Sequence, residues 1–129
     1  MPLRTWRVRN VPALPDAAVV LRGGLLDIEV MRKSITQCHQ IYGVWALSVA
    51  AKADCSPLDI WKRSRGLRGY GRVRMATAGA IRGLSGPPRL VPMGDDPHYS
   101  IVWEGEPTDD QLRELAAAFV QEFDPEAGA

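Results

Sequence analysis

Cysteine is scarce: Cys38 and Cys55 are the only two in 129 residues. That excludes a disulfide scaffold and a zinc site built from four cysteines. Histidine is equally rare, with His39 and His98 alone, and no His-x-x-x-His or Cys-x-x-Cys spacing supports a metal site. No apolar run approaches the roughly 20 residues of a membrane span. The opening stretch MPLRTWRVRN carries no signal-peptide core. A soluble, cytoplasmic protein without a membrane partner is expected. Gly-x-Ser-x-Gly and phosphate-loop motifs are also lacking, which argues against a standard hydrolase or nucleoside triphosphatase.

There are 3 lysines against 13 arginines, and Asn10 is the sole asparagine. GC-rich coding produces this bias, so arginine content alone is no functional signal. What is present is globular: 46% apolar and 24% charged residues, at a length that supports one core. A single domain over 1–129 is expected, with 126–129 frayed. Charge is split along the chain. Residues 1–103 carry 15 basic and 7 acidic side chains, whereas 104–129 carry 1 basic and 8 acidic. Either a basic surface meets an anion, or an acidic helix packs on a basic body.

Periodicity gives the elements. Thr5–Val8 alternates as a short strand, and Ala17–Leu21 is a continuous apolar run of the kind found at a sheet centre. Ile28, Met31, Ile35, Cys38 and Tyr42 form one helical stripe over about Leu26–Tyr42, ended by Gly43. Val44–Ala50 is a strand whose Ala46, Ser48 and Ala50 face is small enough for close approach by a helix or a ligand. Ser56-Pro57 starts a short helix. Arg72–Ala76 is a strand, Thr77 caps a helical turn, Leu90–Val91 is an edge strand, and His98–Trp103 is a further strand. Thr108-Asp109-Asp110-Gln111 is a capping box. It opens a helix whose apolar face runs Leu112, Leu115, Ala116, Phe119, Val120 and Phe123, with Pro125 ending it. The order predicts an α+β fold: a single mixed or antiparallel sheet of about five or six strands, covered mainly on one face by two longer helices.

Three groups of residues are candidates for chemistry. Lys62, Arg63, Arg65, Arg68, Arg72 and Arg74 form a basic segment loosened by glycines, with Trp61 and Tyr70 as stacking faces. Guanidinium groups match phosphate, and aromatic rings accept unstacked bases. The structural alternative is a solvated loop with codon-driven arginines. Histidine has an unperturbed pKa near neutral pH, so His39 and His98 suit acid–base work beside a phosphate, or are ordinary boundary and strand-end residues. The third group is Arg22-Gly23 at a strand end, Ser48 in the small-residue strand, and Glu104-Gly105-Glu106. In that order it resembles the arginine, serine, glutamate pattern of the ADP-ribosyltransferase superfamily. The resemblance implies NAD as cofactor, Arg22 on its phosphates, Ser48 at the nicotinamide end, and Glu106 or Glu104 stabilising a ribosyl cation. The usual Ser-Thr-Ser is here Leu47-Ser48-Val49, and a helix follows Glu106 where that family continues its sheet.

The strand end Val20-Leu21-Arg22-Gly23-Gly24, with Tyr42-Gly43-Val44-Trp45 and Pro97-His98-Tyr99, also resembles small toxin-like proteins of high-GC bacteria. That resemblance implies the toxin of a toxin–antitoxin pair, with a cognate antitoxin as partner. The expectation from the residues is an anion-binding module acting on RNA or a nucleotide, needing no cofactor. If catalytic, it is ribonuclease-like or ADP-ribosyltransferase-like, with Arg22, Tyr42, Ser48, His98 and Glu106 as its residues. The competing class is a non-catalytic protein–protein interaction module.

Overall fold

The computed structural model describes residues 4–125. Within them a single six-stranded antiparallel sheet is flanked by four helices, so the fold is α+β. In chain order the elements are β1 (Val19–Gly23), α1 (Ile28–Tyr42), β2 (Trp45–Lys52), α2 (Pro57–Arg63) and β3 (Val73–Thr77). They continue with α3 (Ala78–Arg82), β4 (Arg89–Pro92), β5 (His98–Trp103), α4 (Asp109–Ala118) and β6 (Gln121–Phe123). The spatial order β4-β5-β2-β1-β3-β6 puts the two most apolar strands at the centre.

One face of the sheet carries the larger core. Met31 and Ile35 of α1, Ile81 of α3, and Leu112 and Leu115 of α4 close over Val20, Leu47, Val49, Ile101 and Trp103. These strand residues share a face because side chains alternate along each strand and the register pairs Leu47 with Ile101. The helices are capped as their sequences require. Asp27 accepts from the amides of Glu29 and Val30, and Gly43 closes α1 at φ 75°. Thr108 and Gln111 form the reciprocal capping box of α4.

The opposite face is only partly covered. Leu21, Ala50 and Val73 pack there against Ile60 of α2 and Leu67 of the following loop. This smaller cluster leaves the neighbouring stretch of β2 and the start of β5 open, which positions the site described below.

Three elements differ from the periodicity. The stretch Thr5–Val8 is not a strand: its sole pairing is a bridge between Val8 and Met93. Pro92 offers no N–H in return for the bond that Arg9 donates to its carbonyl, and Pro12 and Pro15 follow, so a ladder cannot extend. Helix α1 starts at Ile28, not Leu26, because Asp27 is its cap. The last helix stops at Ala118 and does not continue to Pro125. Instead Gln121–Phe123 pairs with the free edge of β3. Completing that edge satisfies backbone groups that water would otherwise have to serve. It also carries Phe123 to the second cluster and leaves Val120 exposed. The expected fraying of 126–129 lies outside the described residues. Among the described residues no helix is long and apolar enough to cross a membrane.

Candidate functional site

The ladder between the two central strands ends early. β1 and β2 pair at Val19–Lys52, Val20–Ala51 and Leu21–Ala50, while β2 continues along β5 as far as Trp45–Trp103. Beyond that last pair the Ser48 carbonyl accepts a 2.6 Å hydrogen bond from the Arg22 guanidinium. A cavity of about 640 Å³ opens here, lined by Arg22, Ser48, Arg63, Arg65, Tyr70 and His98 among others. Ser48 is consequently exposed in the middle of a strand whose immediate neighbours Leu47 and Val49 are buried.

His98 starts β5, and the register sets it opposite Ala50. Its Nε2 lies 3.2 Å from Ser48 Oγ. The turn before it, which contains the cis Asp96–Pro97 bond, brings the His98 amide onto the Asp95 carbonyl at 2.7 Å. Gly94 adopts φ +54°, and a Cβ there would stand 3.3 Å from His98 Nδ1, so that ring nitrogen faces the turn.

Burial sets the electrostatics. Desolvation lowers the Arg22 guanidinium from its ordinary value, and the nearby Tyr70 phenol opposes this. Arg22 Nε is buried with no hydrogen-bond partner among the described residues. Burial also holds His98 below the ordinary histidine value of 6.5, and the Arg9 charge adds to this. Asp95 and a backbone hydrogen bond to Met93 pull the other way. The sign of the consequence is fixed by linkage. The unfolded chain protonates this histidine first as pH falls, so the contribution is neutral above 6.5 and destabilising below it, until the folded ring itself titrates. The melting temperature is therefore expected to fall on acidification through that window. His98→Gln should remove that part of the slope, measured as the difference between thermal melts of the two proteins from pH 7.5 to 5.0. An identical slope in both would contradict the burial of a neutral ring.

Tyr70 is held by glycines. A Cβ on Gly23 would come 2.3 Å from Tyr70 Cδ2, and one on Gly24 would come 2.9 Å from its Cε1. The Gly-Gly pair at the end of β1 is thus the seat of an aromatic ring, which remains 48% exposed. A Tyr70 amide bond to the Leu67 carbonyl folds the glycine-containing loop back over the second cluster.

The structure divides the candidate residues. Arg22, Ser48, His98, Arg63, Arg65 and Tyr70 are brought together from three strands or strand ends, one helix and one loop. Lys62, Arg68, Arg72 and Arg74 do not line the cavity. Arg68 donates to the Lys62 carbonyl, and Arg72 and Arg74 approach Glu122 of β6 at 3.9 and 4.0 Å. Tyr42 is also elsewhere, edge-on to Trp6 at 5.4 Å between ring centroids. His39 stacks on Trp45 at 3.7 Å. Glu106 pairs with Arg32 at 3.2 Å, and neither it nor Glu104 lines the cavity. Cys38 is half-buried in α1, and burial pushes its thiol up.

Sequence reasoning missed Arg9 and the Asp95–Asp96 pair. Arg9 donates to the His98 carbonyl at 2.8 Å and lies 5.3 Å from the Tyr99 ring centroid. Asp96 is held by Lys52 at 2.8 Å and by Arg9 at 3.9 Å. Their contacts span 44 to 90 positions, and no local pattern announces pairs that distant. Among the described residues no group of three or more His, Cys, Asp or Glu could hold a metal ion.

Fold and site together define a small α+β protein with a cleft at the broken centre of its sheet, lined by Arg22, Arg63 and Arg65 and, opposite in charge, by Asp95 and Asp96. No known protein family, curated protein or solved structure matches the chain.

Proposed function

We propose that this protein binds a phosphate-bearing ligand, a nucleotide or single-stranded RNA, in the cavity between β1, β5 and the loop after α2. The observation that carries the reading is the half-buried Arg22 guanidinium at that cavity, whose buried Nε has no partner among the described residues. Desolvating a cation is unfavourable unless something compensates it, and among the described residues the protein supplies one carbonyl and no carboxylate contact. An anionic ligand supplies what is missing.

Two further features suit the same ligand. Arg63 and Arg65 add exposed guanidinium groups to the lining, and each offers a fork that matches phosphate oxygens. Tyr70 presents a partly exposed ring, held in place by Gly23 and Gly24, on which a base can stack at roughly 1–3 kcal/mol. The ADP-ribosyltransferase reading has less support, because Glu106 pairs with Arg32 and neither it nor Glu104 lines the cavity.

The test is a pair of titrations, adenosine monophosphate by calorimetry and a short fluorescent single-stranded RNA by anisotropy, at several salt concentrations. The wild-type protein is expected to bind at least one of them saturably. The double variant Arg63→Ala, Arg65→Ala should weaken RNA binding and flatten the slope of log K against log salt by about 1.4, roughly 0.7 for each lost phosphate contact. Absence of saturable binding to either probe, or RNA binding with an unchanged slope in the double variant, would refute the reading.

A further inference from the structure

The dyad at the cavity floor is the feature that ligand binding does not use. We infer that Ser48 is a nucleophile, activated by His98, that attacks a phosphorus centre held beside Arg22. This rests on the phosphate-ligand reading for its natural substrate, and goes beyond it by assigning covalent chemistry.

Position comes first. Serine in the middle of a central strand is ordinarily covered, yet Ser48 alone among the eight residues of β2 is exposed, and it opens into the cavity. Its hydroxyl is 3.2 Å from His98 Nε2, within reach for proton transfer. The other ring nitrogen, Nδ1, faces the turn at Gly94, and the ring has a backbone hydrogen bond with Met93. In the tautomer that carries its proton on Nδ1, the Nε2 lone pair is directed at Ser48 and the hydroxyl donates to it. Orientation of a histidine base by a third group is the arrangement that activates a serine. Here a backbone group takes the place of a carboxylate. Burial keeps the ring neutral near pH 7, and only a neutral ring can act as base.

Arg22 supplies the charge. Its guanidinium bonds the Ser48 carbonyl, which sets it next to the attacking oxygen. Its positive charge at the cavity wall favours the negative charge that grows on the phosphoryl oxygens. In the step, Ser48 Oγ forms a bond to phosphorus and the bond from phosphorus to its leaving oxygen breaks. The Ser48 proton passes to His98 Nε2, which hands it to the leaving oxygen and is neutral again. Water then attacks the phosphoserine ester, His98 removes a proton from it, and that proton passes to Ser48 Oγ as the phosphorus–Oγ bond breaks. No oxidant, reductant or metal enters this balance.

The experiment uses an alkyl fluorophosphonate, in which the new Ser48 Oγ–phosphorus bond replaces phosphorus–fluorine. The intact protein is expected to gain one adduct by mass, mapped by peptide sequencing to Ser48. Ser48→Ala should gain none, and His98→Asn should label at least 100-fold more slowly, at the lower end of the usual effect of a general base. Circular dichroism of both variants establishes that they are folded. An unlabelled wild-type protein, an adduct on another residue, or equal rates in wild type and His98→Asn would each overturn the assignment. Labelling at Ser48 without nucleotide or RNA binding would leave this inference standing and remove the phosphate-ligand reading. Saturable binding without labelling would do the reverse.

Discussion

Arg22→Leu is expected to weaken ligand binding roughly tenfold to a hundredfold while leaving the melting temperature unchanged or higher. The binding loss follows from removing a charge-assisted hydrogen bond to phosphate, worth about 1.5–3 kcal/mol. The stability gain follows from what Arg22 does in the empty site. Its guanidinium is partly desolvated, its Nε has no partner among the described residues, and its hydrogen bond to β2 goes to a neutral carbonyl. Leucine fills much of the same volume without a charge to desolvate. The Ser48 carbonyl loses its donor, but it borders an open cavity where water can replace it. Thermal melts and calorimetric titrations of the same two samples separate the effects. A lower melting temperature together with unchanged binding would mean that Arg22 merely ties β1 to β2. Retained binding would remove the observation on which the functional reading stands.

Phe119→Ala is expected to be the most damaging single substitution for stability, at about 3–5 kcal/mol. Phe119 is the largest fully buried side chain, 1% exposed, and it belongs to the main core with Leu112 and Leu115. It also sits where α4 ends, since its backbone leaves the helical region at φ −86°, ψ 63°. The side chain therefore anchors both the helix and the turn that delivers β6 to the edge of β3. A loss of that size is a large fraction of the 5–15 kcal/mol typical of a folded domain. Chemical denaturation should show a lower midpoint, and hydrogen exchange should show β6 and β3 amides losing protection with α4. A cost below 1 kcal/mol would mean that the site collapses around the missing ring.

The elements were legible to different degrees, and the reason is physical in each case. His98–Trp103, α2 with its Ser56-Pro57 start, and the Thr108 box follow from local signals that no distant contact overrides. The end of α4 was not legible. Val120 and Phe123 continue a helical spacing, and only the free edge of β3 makes a strand the better use of that segment. Thr5–Val8 failed for the converse reason, because its alternation is real but its neighbour β4 ends in proline. The small face of β2 was read as a place of close approach by a helix or a ligand. The helix is found there, since Ala50 packs against Ile60 of α2, and Ser48 on the same face lines the cavity.

For the site, residue type and position along an element were visible, but convergence was not. Arg22, Ser48 and His98 stood out separately, as a charge at a strand end, a hydroxyl in a buried strand and a rare titratable ring. The basic segment read as one unit, yet its members part ways. Arg63 and Arg65 line the cavity, whereas Arg72 and Arg74 lie beside Glu122, a partner supplied by a strand the periodicity had drawn as helix.

By itself the sequence determined an α+β protein, its capped helices and its apolar strand faces, because periodicity and capping are properties of neighbouring residues. Tertiary structure alone decided that the β1–β2 ladder stops at Leu21–Ala50 and that a serine, a histidine and a half-buried guanidinium share the opening. Those relations join Ser48 to the guanidinium of Arg22 and to His98, residues 26 and 50 positions apart. They depend on which strands become neighbours, a choice made by packing the whole sheet at once.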